Sequence, residues 1–277
     1  MIGTRAEPCS PELIATAERA AEASGAVIRT YFRSAVAVHD KEDSSPVTAA
    51  DREAESAIRA VLAAECPGHG VIGEEHGSEG TGADHVWVID PIDGTKSFIA
   101  GMPVFGTLIA LLRAGVPILG VIDQPILGER WVGALGHGTR FNGRPARTRA
   151  CPGLAGATLY TTSPDMYARG DDRARFERLR GAVKLARYGG DCYATGVLAL
   201  GFIDLQVEAS LAPYDYCALV PVVEGAGGVI SDWEGRPLGL ESDGRIIAAG
   251  DRRAHGAALE RLAGATSAKL ADRVRNP

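Results

Sequence analysis

The sequence contains an apolar run that ends in closely spaced acidic and turn residues, Trp87-Val-Ile-Asp-Pro-Ile-Asp-Gly-Thr-Lys-Ser-Phe98. The apolar, β-branched and aromatic run before Asp90 predicts a buried strand that ends at that residue. Pro91 cannot donate to a strand ladder, and the glycine after Asp93 permits a sharp turn, so a helix can begin at Thr95. The carboxylates of Asp90 and Asp93 should therefore crowd at a strand end, beside the free amides of a helix start.

Such a cluster indicates a particular chemistry. Carboxylates this close repel one another unless a cation lies between them. Oxygen ligands suit Mg²⁺, which takes one or two carboxylates and completes its shell with water and phosphate. A helix N-terminus favours the phosphate itself. The simpler alternative is that Asp-Pro and Asp-Gly are ordinary turn dipeptides, with Asp93 as a helix cap.

Composition excludes several classes of function. The chain has 277 residues, enough for one large domain or two closely packed halves. Its net charge of -6, from 29 basic and 35 acidic residues, argues against a nucleic-acid partner. No apolar run is long enough to cross a membrane, and the first residues lack a signal-peptide core, so we expect a cytoplasmic protein without membrane association. The five widely separated cysteines indicate neither a disulfide framework nor a zinc site.

Patterning along the chain predicts two halves of different character. The first has helices over 11–33 and 48–65, a polar loop at 41–46, and a glycine-rich loop at 77–83. Apolar runs at 105–112, 116–123 and 129–135 predict antiparallel strands, and a turn-rich segment at 136–143 closes this half. The second half alternates strands with helices, among them 191–200 and 214–225, which indicates α/β layering. The polar tail after Thr266 should fray.

The run Asp90-Pro-Ile-Asp-Gly-Thr95 resembles the signature of the inositol monophosphatase-like family of Mg²⁺-dependent phosphatases. This resemblance extends over nearly the whole chain. It implies an α+β to α/β fold, a layered αβαβα sandwich with an antiparallel-rich first half and an α/β second half. Residues 1–150 would carry the metal motifs, and residues 151–277 the substrate-selecting residues together with the last metal-binding aspartate. The resemblance also implies a homodimer.

Three further motifs resemble elements of the same family. Glu74, in Gly-Glu-Glu, matches an acidic strand end, although a solvated acidic turn explains it equally well. Asp51 matches the end of a Val-Thr-x-x-Asp element, and its alternative is a capping box with Thr48. Asp215 matches a third motif, in which the family usually has Trp at the position of Tyr214; a helix N-cap is its alternative.

The resemblance implies a role for each residue. Glu74, Asp90 and the Ile92 carbonyl would bind one Mg²⁺, and Asp90, Asp93 and Asp215 a second, with two or three ions in each active site. Two such cations can clamp the attacking and leaving oxygens of a phosphoryl transfer. Glu74 and a hydrogen-bonded pair, Thr95 and Asp51, would orient the attacking water. The phosphate would lie on the amides of Gly94 and Thr95.

Substrate choice should depend on the second half of the chain. Asp191 and Glu208 follow strand ends, and inositol phosphatases have a small neutral residue at the position of Asp191. Two more acids beside an acidic site are costly unless the substrate is a cation. The surrounding sequence resembles the histidinol-phosphate phosphatase branch, in which Asp93, Asp191, Glu208 and Asp215 would contact substrate. Three alternatives remain open: an inositol, sugar or nucleotide phosphatase, a metal-binding regulatory protein without turnover, and Asp191 as only a helix N-cap.

Overall fold

The structure is a computed structural model that describes residues 7–34, 38–40 and 46–264, with backbone alone for 38–40 and 46–48. The predicted loop residues 41–45 and the predicted frayed tail beyond Thr266 lie outside the described residues, as does the side chain of Thr48. Pro46, placed at the end of that loop by the sequence, instead begins a short strand.

The described part of the chain forms eight α-helices and fifteen strands. The helices are α1 (Pro11–Tyr31), α2 (Ala49–Glu65), α3 (Thr95–Ile99), α4 (Asp172–Arg180), α5 (Asp191–Ala199), α6 (Pro213–Tyr216), α7 (Leu219–Gly225) and α8 (Arg252–Ala263). The strands are β1 (Val38–Asp40), β2 (Pro46–Thr48), β3 (Gly70–Gly73), β4 (Gly77–Glu79), β5 (His85–Asp93), β6 (Gly106–Arg113), β7 (Val116–Gln124), β8 (Glu129–Ala134), β9 (Gly138–Phe141), β10 (Arg144–Pro145), β11 (Thr158–Thr161), β12 (Leu185–Tyr188), β13 (Leu205–Glu208), β14 (Val229–Ser231) and β15 (Ile246–Ala249).

Two sheets organise the molecule. The first has 8 strands in the order β10-β9-β8-β7-β6-β5-β3-β4, and β3 runs parallel to β5 while the other pairs are antiparallel. The second has 5 strands in the order β12-β11-β13-β15-β14, of which the first three are mutually parallel. The chain leaves the first sheet at Pro145 and enters the second at Thr158, on either side of the predicted boundary at residue 150.

The two sheets and three layers of helices form a five-layered structure, because alternate side chains of each strand face opposite sides of its sheet. Trp87 and Ile89 of β5 pack with α1 and α2 on one face of the first sheet, whereas Val88 points to the opposite face. On that face α5, α6 and α7 fill the space between the two sheets. Helices α4 and α8 cover the outer face of the second sheet. The predicted αβαβα sandwich is therefore confirmed.

The middle layer lies very close to the first sheet because glycines line the contact. A Cβ on Gly120 of β7 would lie 2.0 Å from the Ala218 carbonyl oxygen, and one on Gly133 of β8 would lie 2.3 Å from that of Pro221. Any larger residue at these positions would push α7 away from the sheet. This close contact fixes the position of the segment that carries Asp215.

Helix α1 agrees closely with its sequence pattern. The Ser10 hydroxyl accepts a hydrogen bond from the Leu13 amide at 3.3 Å, and Pro11 is the first helical residue. The helix ends at Tyr31, two residues before the predicted end, and passes through Gly25 without a break. Gly25 lets the helix pack closely, because a Cβ there would lie 3.1 Å from the Pro125 side chain.

Some sequence predictions were wrong in detail. The predicted helix 214–225 is two helices, because Pro221 has no N–H to bond the carbonyl four residues earlier, and its ring crowds that carbonyl. The segment 136–143 contains β9, which pairs with β10 across a two-residue turn, Asn142-Gly143, with positive φ at both residues. The glycine-rich loop at 77–83 begins with the edge strand β4. None of the helices in the described ranges is long and apolar enough to cross a membrane.

Candidate active site

Strand β5 carries two aspartates at its carboxyl end. The prediction that this strand stops at Asp90 was wrong, because β5 continues to Asp93 with a shift of register between the two residues. Pro91 explains the shift, since it has no N–H for the ladder, and such irregularities re-aim neighbouring side chains. The Pro91 carbonyl instead accepts from the Thr107 hydroxyl at 2.8 Å. The Asp90 carboxylate accepts from the Ile92 amide at 3.0 Å, which fixes its orientation.

A third aspartate joins this pair from the other half of the chain. Asp215 is the third residue of α6, and its carboxylate accepts from the Ala212 amide at 2.7 Å. The alternative that Asp215 is the N-cap residue is wrong, because that position belongs to Ala212. One carboxylate oxygen from each of Asp90, Asp93 and Asp215 lies within 4.8 Å of the others. The predicted cluster of these three residues is present, and it could hold a metal ion.

The electrostatics of the cluster favour a cation. Burial raises the pKa of Asp90 well above its usual value, and the negative charges of Glu74, Asp93 and Asp215 raise it further. Burial, followed by the charges of Asp191 and Asp215, likewise raises the pKa of Asp93. Several carboxylates in one buried site disfavour their own ionised forms, and a divalent cation would reverse that penalty. An all-oxygen ligand set suits Mg²⁺ better than zinc.

Glu74 lies next to this cluster, on the turn that follows β3. Its amide donates to the Ile89 carbonyl of β5 at 3.2 Å, so the turn is bonded directly to the aspartate-bearing strand. Glu55 of α2, which sequence reasoning missed, stabilises the same turn. The buried Glu55 carboxylate accepts from the amides of Glu75 and His76 at 2.7 and 3.2 Å. The metal-ligand role of Glu74 stays a prediction that this placement supports.

The turn between β5 and α3 presents the residues at which the sequence predicts phosphate binding. Gly94 has φ +91°, and α3 begins at Thr95 as predicted, so its first amides point out of the helix end. The Thr95 hydroxyl donates to the Ile92 carbonyl at 3.1 Å. Asp51 is buried in the first turn of α2, where its charge also raises the pKa of Asp90. The bond between Thr95 and Asp51, and metal binding by the Ile92 carbonyl, stay predictions.

Asp191 lies directly against this turn. Its backbone is left-handed, with φ +44°, and its carboxylate accepts from the Ser97 hydroxyl at 2.9 Å. A Cβ on Gly94 would lie 2.9 Å from the Asp191 carboxyl carbon, so only glycine allows this approach. Burial raises the pKa of Asp191, and the Ser97 hydroxyl and the Lys96 ammonium oppose part of that rise.

The structure also decides the alternative role of Asp191 as a helix cap. Asp191 is the first residue of α5, and the cap position before it is Gly190, without any side-chain cap. The amide of Cys192, the second residue of the helix, donates to the Asp93 carboxylate at 2.5 Å. Asp93 therefore binds the start of α5, and the alternative of Asp191 as an N-cap is wrong.

Glu208 is close to Asp191 but faces the protein interior. Its side chain is 3% exposed and accepts from the Thr162 amide, the Thr162 hydroxyl and the Gln206 amide group. Burial raises its pKa to about 7, and the negative charge of Asp191 contributes. Direct contact between Glu208 and substrate stays a prediction.

Two residues that sequence reasoning did not single out contact Asp191. Ser97 lies one helical turn beyond Gly94, where a polar side chain can reach the strand-end site. Gln206 lies two residues before Glu208 and so shares its face of β13, the period that a strand imposes. The two-residue spacing from Glu208 could have identified Gln206 in the sequence. A second polar side chain on a buried strand face needs a hydrogen-bond partner.

Comparison with known proteins agrees with this architecture. The inositol monophosphatase family model matches residues 10–269. A protein called bifunctional phosphatase IMPL2, chloroplastic, from Arabidopsis thaliana is 52% identical over 251 residues, which are 87% of this chain and 72% of that protein. A histidinol-phosphatase of Chlorobaculum parvum is 37% identical over 82% of this chain and 88% of its own length. The solved structure of an inositol monophosphatase from Zymomonas mobilis has a TM-score of 0.84 at 46% identity, over 92% of this chain and 100% of that one.

This sandwich, with an acidic cluster able to hold a metal ion, is the architecture of a family of phosphatases that act on small phosphate esters. The chain belongs to the inositol monophosphatase family, which is generally metal-dependent. The resemblance drawn from the Asp90–Thr95 motif is thereby confirmed. The family alone leaves the substrate open, because relatives named for different activities match this chain.

Proposed function

We propose that this protein is a Mg²⁺-dependent histidinol-phosphate phosphatase, which hydrolyses histidinol phosphate to histidinol and phosphate. The observation that carries the proposal is the position of Asp191. This acid lies against Gly94, at the turn where the phosphate is expected, and it is held there by Ser97. A substrate whose phosphate lies on this turn would bring its own amine within reach of the Asp191 carboxylate.

Charge balance supports a cationic substrate over a neutral polyol. Asp191 adds a carboxylate beside a cluster that already includes Asp90, Asp93 and Asp215, and it raises the pKa of Asp93. Lys96 is the nearby cation that affects the pKa of Asp191, and its side chain is exposed. A protonated amine would offset the charge of Asp191, whereas an uncharged hydroxyl group of a polyol would not.

A cavity beside Asp191 could take the rest of such a substrate. It has a volume of about 520 Å³, and its lining includes Ser97, which bonds the Asp191 carboxylate, and Gly190, which precedes Asp191. Three tyrosines, Tyr160, Tyr188 and Tyr193, line it. Aromatic side chains of this kind can stack on a flat ring such as imidazole.

Each residue has a definite part in the proposed reaction. Asp90, Asp93, Asp215 and Glu74 would hold Mg²⁺, which would supply a polarised water and charge stabilisation at the phosphate. The first amides of α3 would bind phosphate oxygens, and the buried Asp51 would help to orient Thr95. No side-chain nucleophile is required. A homodimer and a cytoplasmic location remain predictions from the sequence.

Hydrolysis of inositol 1-phosphate is the second candidate. The 46% identical solved structure carries the name inositol monophosphatase, and the 52% identical relative is called a bifunctional phosphatase. In favour of histidinol phosphate, relatives named histidinol-phosphatase are 37% and 39% identical to this chain. Both activities would use the same cluster, so only the group beyond the phosphate distinguishes them.

A phosphate-release panel tests the proposal. The purified protein is assayed with Mg²⁺ on histidinol phosphate, inositol 1-phosphate and a phosphoadenosine nucleotide, and kcat/KM is compared. We expect histidinol phosphate to be the preferred substrate by a wide margin. A preference for inositol 1-phosphate or the nucleotide would replace the proposed substrate while keeping the phosphatase. Absence of release from all three would favour the regulatory alternative.

A further inference from the structure

Asp191 has a backbone conformation that the surrounding protein must maintain. Its φ of +44° follows two glycines, Gly189 and Gly190, with φ of +80° and +135°. Glycine adopts such values freely, but a residue with a Cβ does so at a cost and keeps them only where its neighbours enforce them. Neighbouring groups must therefore fix Asp191, because its carboxylate would otherwise not stay against Gly94.

The Gln206 side chain donates a hydrogen bond to the backbone carbonyl of Asp191. Gln206 is 1% exposed, in the middle of β13, and its amide nitrogen donates to the Asp191 carbonyl at 3.2 Å. The same nitrogen donates to the Glu208 carboxylate at 3.0 Å, and the amide oxygen accepts from the Thr195 hydroxyl. Two acceptors require the nitrogen on their side, so the orientation of the Gln206 amide is determined by its neighbours.

These bonds attach the first turn of α5 to the second sheet. Thr195 lies one turn after Asp191 on the same helix, so Gln206 holds α5 at two points on one face. Ser97 holds the Asp191 side chain from the opposite direction, at 2.9 Å. Asp191 is thus held at its backbone carbonyl by Gln206, from the second half of the chain. Its carboxylate is held by Ser97, from the half that carries the metal motifs.

We propose that Gln206 is a positioning residue that sets the substrate preference of the active site, by holding the left-handed backbone of Asp191. The inference rests on the proposed function, in which Asp191 binds the substrate's amine. Gln206 itself is buried and does not touch substrate. Without its bond, the Asp191 backbone relaxes and the carboxylate is displaced from the amine, whereas the phosphate and metal groups keep their places.

The variant Gln206→Met tests this inference, since it keeps the length of the side chain and removes both donors. We expect KM for histidinol phosphate to rise about three- to tenfold, the range for loss of one hydrogen bond, with kcat little changed. KM for inositol 1-phosphate should change less than about twofold. Thr161→Val is the matched control. It removes a hydroxyl bonded to Glu208 and Tyr167 in the same buried network, but none of its bonds reaches Asp191.

A double-mutant cycle separates this inference from the proposed function. In an Asp191→Asn background, Gln206→Met should add little further loss on histidinol phosphate, because the charge that it positions is already gone. A full additional loss there, or an equal rise in KM for both substrates, would show that Gln206 only stabilises the fold. If Asp191→Asn has no selective effect by itself, the proposed function fails and this inference fails with it. If Asp191→Asn weakens only histidinol phosphate while Gln206→Met leaves KM for both substrates unchanged, the positioning role of Gln206 is overturned and the proposed function stands.

A second variant decides the matter if Gln206→Met does not fold. Gln206→Leu gives a smaller, wholly apolar side chain and removes the N–H groups that bond the Asp191 carbonyl and the Glu208 carboxylate. The same selective rise in KM for histidinol phosphate is expected. Unchanged KM in a folded Gln206→Leu protein, with melting behaviour like that of the parent, would overturn the inference.

Discussion

Replacement of Asp191 by Asn isolates the negative charge at this position. The Asn side chain has an oxygen that can still accept from Ser97 at the observed 2.9 Å, and Asn tolerates left-handed backbone better than other residues with a Cβ. Asp191→Ala is a less suitable variant, because Ala also loses the hydrogen bond to Ser97 and adds backbone strain at φ +44°. The structure removes the helix cap as an explanation, since the cap position of α5 belongs to Gly190 and the Cys192 amide bonds Asp93.

The size of the effect follows from the interaction that is lost. A hydrogen bond to a charged group contributes about 1.5–3 kcal/mol, and each 1.4 kcal/mol is about tenfold. The specificity constant for histidinol phosphate should therefore fall about ten- to a hundredfold in Asp191→Asn. Because the Lys96 ammonium already interacts with this carboxylate, the lower part of that range is the more realistic expectation.

Steady-state phosphate release measures this effect, with inositol 1-phosphate as the comparison substrate. The assay uses saturating Mg²⁺, because Asp191 raises the pKa of Asp93 and its charge could also affect metal affinity. Turnover of inositol 1-phosphate should stay within about twofold of the parent. Full activity of Asp191→Asn on histidinol phosphate would refute a cation-binding acid, and an equal decline on both substrates would assign the residue to the fold or the metal cluster.

Three further predictions concern the metal site and stability. Excess chelator should abolish activity and added Mg²⁺ should restore it, with Zn²⁺ the poorer activator, and full activity in chelator would contradict an all-oxygen metal site. Asp90→Asn should lower turnover by several orders of magnitude in a protein that still folds by circular dichroism, because it removes a charge from the centre of the cluster; near-normal turnover would exclude a bridging role. Glu208 has its pKa raised from 4.5 to about 7 in the folded state, so its contribution to stability is fully present below pH 4.5 and is lost as pH rises through 7. Relative to Glu208→Gln, the parent should therefore lose up to about 3 kcal/mol between those values in urea unfolding, and parallel pH profiles would show that Glu208 does not titrate as described.

The sequence predicted most of the fold because its elements have strong local signals. The Ser10-Pro11 helix start and the continuous apolar run of β5 needed no tertiary information. The errors arose where a distant contact decides the outcome. Strand β5 continues past Pro91 because Thr107 of the next strand bonds the proline carbonyl, and a single-strand pattern does not contain that bond.

The acidic cluster was predictable and its supporting residues were not. Asp90 and Asp93 share one short motif, whereas Asp215 could be joined to them only through the family resemblance. The contacts of Asp191 with Ser97 and Gln206 connect residues that are far apart in sequence, and the left-handed backbone at Asp191 has no signal beyond its two preceding glycines. Such contacts depend on how the two sheets pack, which is set by the whole chain.

A crystal structure with Mg²⁺ and the reaction products histidinol and phosphate would show which groups hold the metal, the phosphate and the amine. We predict metal density among Asp90, Asp93 and Asp215, phosphate on the amides of Gly94 and Thr95, and the histidinol amine within hydrogen-bond distance of the Asp191 carboxylate. An amine that points into solvent while Asp191 stays bonded to Ser97, or metal bound away from the three aspartates, would contradict the account.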